Sequence, residues 1–184
     1  EDLSGMRANP VSSLFFEECR VPAENMLGKP GHGLKIGLSA LDTGRVGIAA
    51  QALGIAQAAL EASTRYAKER QQFNKPIAAF QTIQNYLAEM ATQTSAARLL
   101  LYRACALKDA GKPFSTEASM AKLYCSAAAR EVANLAVQIH GGYGYSREYE
   151  VERYYRDAKV TEIYEGTSEV QRMVIARGVL SQPS

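Results

Sequence analysis

The sequence predicts an all-α fold: an antiparallel four-helix bundle preceded by a short β segment. Over three long segments, apolar residues recur at alternating steps of three and four residues, which is the period of an amphipathic helix. Many residues on these stripes are alanine, which lets neighbouring helices approach closely at shallow crossing angles. With 184 residues, 47% of them hydrophobic and 22% charged, the chain can bury the core of one compact domain.

Glycine and proline mark the ends of these helices. The three stripes predict helices over 33–70, 79–110 and 116–140, and the second and third end at Gly111-Lys112-Pro113 and Gly141-Gly142. A shorter apolar pattern from residue 170 predicts a last helix. We expect hydroxyl side chains to cap the last two helices, namely those of Ser115, Thr116 and Ser168.

Residues 1–32 follow a different pattern, because proline and glycine interrupt short apolar runs such as 11–16. This pattern predicts a β ribbon followed by a loop, and a division of the chain into residues 1–32 and a helical domain over 33–184. The chain opens at Glu1 without an initiator methionine, so we expect it to be the interior of a longer polypeptide. No uncharged apolar stretch of about 18 residues occurs, so we expect no membrane insertion.

Charge and cysteine content argue against several other classes of protein. Lys and Arg number 21 against 19 Asp and Glu, and the charges are spread along the chain, so nucleic acid binding is not expected. The three cysteines lack the spacing of a zinc site and are expected to be free thiols in a reducing compartment. His32 and His140 are far apart and no carboxylate accompanies them at ligand spacing, so we expect no metal site.

Arg45 occupies an apolar step of the first helix, where an unpaired guanidinium would cost several kcal/mol. Two interpretations follow: a structural ion pair with Asp42, three residues earlier on the same face, or binding of an anionic or polar ligand. Gly44 bears on the second interpretation. A glycine inside a helix costs about 1 kcal/mol relative to alanine and is tolerated where something packs against the backbone.

Three further segments carry candidate functional residues. Arg70 ends the first helix in a basic turn that complements the helix dipole, with phosphate binding as the alternative. The glycines from Gly141 onward could bring backbone close to a flat or anionic ligand, although glycines that close a helix are not a dinucleotide fingerprint. Glu165 lies between a tyrosine and a glycine just before the last helix. It is either a solvated loop carboxylate or a base presented to a pocket.

Four motifs, in this order, resemble the C-terminal part of an acyl-CoA dehydrogenase, with the short-chain members most similar. They are Leu41-Asp42-Thr43-Gly44-Arg45, Arg70-x-x-Phe73, Gln138-Ile139-His140-Gly141-Gly142 and Ile163-Tyr164-Glu165-Gly166-Thr167-Ser168-Glu169. In this resemblance residues 1–32 correspond to the end of the middle β domain and residues 33–184 to the C-terminal helical domain. The N-terminal helical domain and most of the β domain are absent from the sequence, so we expect the fragment alone to be inactive.

The resemblance implies a flavoprotein oxidoreductase of fatty acid β-oxidation. Its reaction is the oxidation of an acyl-CoA to the trans-2-enoyl-CoA, by abstraction of the α-proton and transfer of the β-hydrogen as hydride to FAD. Electron-transfer flavoprotein is the implied partner that reoxidises the flavin. The resemblance further implies a homotetramer, arranged as a dimer of dimers, in the bacterial cytoplasm or the mitochondrial matrix.

The resemblance also assigns roles to individual residues. Glu165 matches the family's catalytic base, and Gly44 stands where other branches of the family carry that base on helix one. Acyl-CoA binding falls to Asp42, Thr43, Gly44, Arg45 and Gly166. FAD binding, partly across a subunit boundary, falls to Arg70, Phe73, Gln81, Gln138, Ile139, His140, Gly141, Gly142, Thr167, Ser168 and Glu169. Two residues depart from the family pattern: Asn74 replaces a glycine, and His140 replaces a leucine or phenylalanine.

Two alternatives stay open at this point. The first is a helical scaffold or adaptor without enzymatic activity, which associates through apolar helix faces. The second keeps the flavin but passes electrons to oxygen, as acyl-CoA oxidases do. Flavin binding distinguishes the first alternative from a dehydrogenase, and the oxygen reactivity of the reduced enzyme distinguishes the second.

Overall fold

Five α-helices build the part of the fold that the structure describes. The computed structural model describes residues 1–181 of the chain, so residues 182–184 of the predicted helical domain lie outside it. The helices are α1 (Gly33–Glu69), α2 (Gln81–Asp109), α3 (Ser115–His140), α4 (Val151–Val160) and α5 (Ser168–Leu180). A short antiparallel hairpin, β1 (Gln71–Gln72) and β2 (Lys75–Pro76), joins α1 to α2. The prediction of an all-α fold is confirmed, and the three long helices end within two residues of the predicted bounds.

Helix α3 lies at the centre of the bundle and packs against the other four helices. Its interface with α1 is lined largely by alanine, because buried positions on both helices carry this residue at helical spacing. Short side chains let the two backbones approach closely. Any larger or charged side chain in this interface must therefore have a specific neighbour. The fully buried alanines include Ala49, Ala52, Ala56 and Ala59 on α1 and Ala121, Ala129, Ala133 and Ala136 on α3.

The start of the chain differs from the sequence prediction. Residues 1–32 all belong to the described part, and they form no strand; only a 3-10 turn at Ala23–Asn25 is regular. A strand requires a hydrogen-bonded neighbour, and the side chains of Leu14, Phe15 and Phe16 are exposed rather than packed. The segment is tied to α4 near its beginning, where the Met6 amide donates to Asp157 Oδ1 at 2.6 Å.

Helix α4 and the capping residues also differ from the prediction. The sequence around α4 is rich in charge, and among its ten residues only Val151 and Ala158 are buried, so no apolar stripe marks it. Ser115 is the first residue of α3 rather than its cap and makes no capping bond; its hydroxyl donates to Asp42 Oδ1 at 2.8 Å. Ser168 is the first residue of α5 and makes no side-chain capping bond; Thr167 holds the cap position.

No helix within residues 1–181 combines the length and the apolar character that crossing a membrane requires.

Candidate active site

The turn between α4 and α5 holds Glu165 in a backbone conformation that is costly for most residues. Glu165 has φ +54° and Gly166 has φ +91°, so two consecutive residues adopt the left-handed region. This conformation costs about 1–2 kcal/mol for a residue with a Cβ. Such a turn persists only where surrounding groups fix it, and turns of this kind concentrate at functional sites.

The carboxylate of Glu165 lies directly against the backbone of α1 at Gly44. A Cβ built on Gly44 would lie 2.5 Å from Glu165 Oε2 and 2.8 Å from its Cδ. The glycine therefore leaves the space that the carboxylate occupies, which explains its position inside a helix. Glu165 Oε2 is buried and accepts no hydrogen bond from the described residues. A buried carboxylate oxygen without a donor is a free acceptor for a proton.

Arg45 forms the predicted ion pair and still has a free donor. Its side chain is 7% exposed, and one terminal nitrogen lies 2.7 Å from Asp42 Oδ1. The same nitrogen donates to Ser119 Oγ on α3 at 3.4 Å. Arg45 Nε is buried and has no hydrogen-bond partner among the described residues. Both interpretations of Arg45 are thus compatible with the geometry, because the ion pair leaves one N–H directed at no protein acceptor.

Tyr164 precedes Glu165 and anchors the turn to α1. Its hydroxyl donates a short hydrogen bond to Gln51 Oε1, and burial raises the pKa of this hydroxyl. Gln51 lies two helical turns beyond Gly44 on α1. The Glu165 turn is therefore attached to the same helix that carries Asp42, Gly44 and Arg45.

Two buried residues that the sequence analysis missed bind the turn from α3 and α5. Lys122 Nζ donates to the Gly166 carbonyl at 2.8 Å. Gln171 Nε2 donates to the same carbonyl at 2.8 Å and to the Glu165 carbonyl at 3.1 Å. The signal for Lys122 was present, because it lies four residues after Ala118 and next to Ala121 on the apolar stripe, as Arg45 does on α1.

A cleft of about 520 Å³, the Arg70 cleft, brings together two of the predicted cofactor segments. Arg70 from the end of α1 and the Ile139–Gly142 loop at the end of α3 both line it. The Arg70 guanidinium lies 5.3 Å from the centre of the Tyr143 ring, and Gly141 has φ +60°. A guanidinium opposite glycine backbone is a suitable arrangement for an anionic group.

His140 is packed rather than free at this cleft. Its ring stacks on Tyr66 with centres 4.1 Å apart, and Nδ1 donates to the Ala136 carbonyl at 2.8 Å. Burial lowers the pKa of the imidazole, so the neutral form is favoured. The neutral ring therefore packs as an apolar side chain would, while the residue still borders the cleft.

The remaining predicted residues are distributed over the surface. Thr167, Ser168 and Glu169 line another cleft, of about 470 Å³, together with Arg130, Lys159 and Arg172. Phe73, Gln81, Gln138 and Thr43 are exposed and line none of these clefts. Phe73 and Asn74 both have positive φ, +53° and +63°, as the two-residue turn of a tight hairpin requires. Asparagine tolerates this conformation better than most residues do, which explains its use at position 74.

Comparison with known proteins places these segments in one family. The family model for the acyl-CoA dehydrogenase C-terminal domain matches residues 31–180. The chain is 56% identical over 182 residues to acryloyl-CoA reductase (NADH) of Anaerotignum propionicum, covering 99% of this chain and 46% of that protein. It is 54% identical over 180 residues to the mitochondrial short-chain specific acyl-CoA dehydrogenase of Rattus norvegicus, covering 98% and 44%.

A solved structure agrees with these relatives. Butyryl-CoA dehydrogenase from Megasphaera elsdenii matches with a TM-score of 0.96 and 52% sequence identity, covering 98% of this chain and 47% of that one. The chain thus spans a little under half the length of the relatives that it matches.

Proposed function

This chain belongs to the acyl-CoA dehydrogenase family, and from that premise we propose that the protein containing it oxidises an acyl-CoA thioester to the trans-2-enoyl-CoA with FAD. The substrate loses the α-hydrogen as a proton and the β-hydrogen as hydride. This chain supplies the base and part of both binding sites. The rest of the protein must supply the remaining walls, because the chain spans under half the length of its relatives.

Glu165 is the base in this proposal. The observation that carries the assignment is the buried Oε2 atom beside Gly44, which accepts no hydrogen bond from the described residues. An oxygen already engaged by a donor would be a weaker base, whereas this one is free to take the α-proton of a thioester placed over α1. The half-buried turn also limits the access of water to the carboxylate.

The backbone amide of Glu165 is a candidate donor to the thioester oxygen. Removal of the α-proton moves negative charge onto that oxygen, and a preorganised N–H there is worth about 3–4 kcal/mol in the transition state. Within the described residues, no hydrogen bond from the Glu165 amide is present. The base and an unused donor therefore belong to the same residue.

The acyl-CoA site includes Asp42, Thr43, Gly44 and Arg45 on α1, and Gly166 on the turn. Arg45 is held by Asp42 and Ser119, and its partnerless Nε supports a contact with a polar group of the substrate. Gly44 keeps the surface of α1 flat, so that the base can approach. The substrate contact of Arg45 and the space that Gly44 leaves for the base explain why a charged residue and a glycine interrupt an otherwise apolar stripe.

The residues of the Arg70 cleft fit a dinucleotide. Arg70 would hold a phosphate group, and the Ile139–Gly142 backbone would lie against it, because glycine allows close approach. Thr167, Ser168 and Glu169 would contact the FAD of the chain's own subunit. Arg70 and Phe73 would reach the FAD of a neighbouring subunit, Gln81 would make a further contact to the cofactor, and Gln138 would join the Ile139–Gly142 loop against its adenosine half. Phe73, Gln81 and Gln138 are exposed here and are therefore accessible to a cofactor. When bound, FAD accepts the β-hydrogen of the substrate as hydride.

The proposal extends to partners and compartment. Electron-transfer flavoprotein is the proposed electron acceptor, and a homotetramer, built as a dimer of dimers, is the proposed assembly. The rat relative is mitochondrial and the Anaerotignum propionicum and Megasphaera elsdenii relatives are bacterial. We therefore place the protein in the mitochondrial matrix or the bacterial cytoplasm.

The flavin itself reports on the proposed reaction. The full-length protein should purify yellow and bleach when butyryl-CoA is added without oxygen. Glu165→Gln should keep the yellow colour but not bleach, because the amide cannot take the α-proton. Glu89→Gln is the matched control, since Glu89 is exposed on α2 and should leave bleaching unchanged. A colourless protein, or a Glu165→Gln variant that bleaches at the wild-type rate, would refute the proposal.

The 56% identity to acryloyl-CoA reductase (NADH) favours a second candidate, the reduction of an enoyl-CoA. The same residues can serve both directions, because a protonated Glu165 would return a proton to the α-carbon. Turnover assays decide the physiological direction. Consumption of NADH with acryloyl-CoA, in the presence of the electron-transferring partner, would support the reductase, and its absence alongside dehydrogenase activity would support the oxidation.

A further inference from the structure

Lys122 is a fully buried lysine whose ammonium group reaches the catalytic turn. The residue is 0% exposed, and Nζ donates to the Gly166 carbonyl at 2.8 Å. Gln171, also 0% exposed, donates to the same carbonyl and to that of Glu165. Side chains from α3 and α5 thus bind the two carbonyl groups that follow the left-handed φ angles of the turn.

Packing alone does not explain why a lysine occupies the buried position 122. The neighbouring buried positions of α3 carry small residues, among them Ala118, Ser119 and Ala121. A buried charge carries a penalty of several kcal/mol unless specific partners compensate it. A methionine of similar length would fill the same space without that penalty. The compensating contact lies at the turn, because the only hydrogen bond of Nζ among the described residues goes to Gly166.

We propose that Lys122 is a positioning residue, which holds the Glu165–Gly166 turn so that the Glu165 carboxylate stays beside Gly44. The inference rests on the proposed role of Glu165 as the base. A turn with two residues in the left-handed region relaxes when its contacts are removed. Loss of the Lys122 contact would let the carboxylate leave its place on α1, although Lys122 itself touches no reacting atom.

The charge of Lys122 adds a pH dependence to this role. Burial, and to a smaller extent the charge of Arg45 on α1, lower the pKa of its ammonium, and the carboxylates of Glu162, Glu165 and Glu169 oppose the shift; the resulting pKa is about 8. Above this pH the neutral amine is a weaker donor to the Gly166 carbonyl, because a charged donor makes the stronger hydrogen bond. The positioning of Glu165 should therefore weaken as the pH rises through 8.

The test uses the full-length flavoprotein with Lys122→Met, Lys122→Arg and the control Lys108→Met, in which an exposed lysine of α2 is replaced. Lys122→Met should lower the rate of bleaching by butyryl-CoA about 10-fold to 100-fold and increase the isotope effect from α-deuterated substrate. The KM and the flavin content should change little. The rate of wild type and of Lys108→Met should fall above about pH 8, and Lys122→Met should lack this fall.

Two further readouts test the same role, one through a variant that keeps the charge and one through the exchange of backbone amides. Lys122→Arg keeps its charge at every pH tested, so it should retain more activity than Lys122→Met. The pH above which its bleaching rate decreases should move from about 8 to above 9. Hydrogen exchange of the amides of residues 164–167 should be faster in Lys122→Met, whether or not flavin is bound. The exchange rate of these amides in Lys108→Met should equal that of wild type.

Several outcomes would overturn the inference. The first is a bleaching rate of Lys122→Met within twofold of that of Lys108→Met. The second is a bleaching rate of Lys122→Arg that decreases at the same pH as that of wild type. The third is a wild-type bleaching rate that does not decrease between pH 7 and 9. If Glu165→Gln is inactive while Lys122→Met is not, only the inference about Lys122 fails. If the wild-type protein does not bleach with acyl-CoA, the proposed function fails first.

Discussion

Gly44→Ala tests the contact between α1 and the Glu165 turn, because it separates activity from stability. The added methyl group would lie 2.5 Å from Glu165 Oε2 and 2.8 Å from Cδ. Atoms of this kind pack at about 3.5–4.0 Å, so the carboxylate must move by about 1 Å to admit the methyl group. These atoms end a flexible side chain, so the backbone can stay in place.

Gly44→Ala should leave the free energy of unfolding unchanged or higher, and it should lower the rate of the reaction. Alanine is favoured over glycine inside a helix by about 1 kcal/mol, so the free energy of unfolding should stay equal or rise by up to that amount. A base displaced by about 1 Å loses on the order of 100-fold in rate. The rate of bleaching by butyryl-CoA should therefore fall about 100-fold in a protein that is no less stable than wild type.

Gly54→Ala is the matched control for this experiment. Gly54 lies on the same helix, and nothing lies within 4 Å of a Cβ built on it. It should show the same gain in stability from urea unfolding, with wild-type bleaching. Equal bleaching rates for Gly44→Ala and Gly54→Ala would refute the reasoning, and so would a Gly44→Ala variant that loses stability.

Three further predictions concern ionisable groups. Asp42→Ala removes the partner of the buried Arg45, and urea unfolding should show a loss of about 2–3 kcal/mol, less than for a fully buried pair because Asp42 is 23% exposed. In contrast, Glu117→Gln breaks an exposed pair and should cost less than about 1 kcal/mol. Burial raises the pKa of the Cys125 thiol to about 12, so a thiol reagent at pH 8 should leave Cys125 unlabelled until the protein is denatured. The pKa of Lys122 in the folded protein, about 8, lies below the ordinary 10.5, so the unfolded chain binds more protons between these values. The free energy of unfolding should therefore gain a contribution from Lys122 as the pH rises through this window, and Lys122→Met should lack that gain in urea unfolding followed against pH.

The long helices were predictable because their signal is local. Each turn of α1, α2 and α3 repeats the apolar step, so the 3.6-residue period appears directly in the sequence. Helix α4 gave no such signal, because it is short and only two of its residues are buried. The β ribbon expected in residues 1–32 did not form, since apolar alternation does not supply a neighbouring strand.

The capping residues show the same limit on a smaller scale. The hydroxyl of Ser115 stands at the right place in the sequence to cap α3. In the structure it donates to Asp42 on another helix instead. A hydroxyl with two possible partners, a backbone N–H of its own helix and a carboxylate on another helix, takes the one that the packing of the helices brings into place. Spacing along the chain does not contain that information.

The sequence by itself determined which residues break the pattern: a charge and a glycine on an apolar stripe, glycines that end a helix, and a carboxylate at a turn. These are local conflicts between residue type and position, and they are visible in one dimension. Only the tertiary structure decided that the Glu165 carboxylate rests on Gly44, and that Lys122 and Gln171 bind the carbonyls of its turn. The physical reason is that these groups meet through the packing of α1, α3 and α5, and packing depends on the whole set of side chains between helices rather than on any one segment.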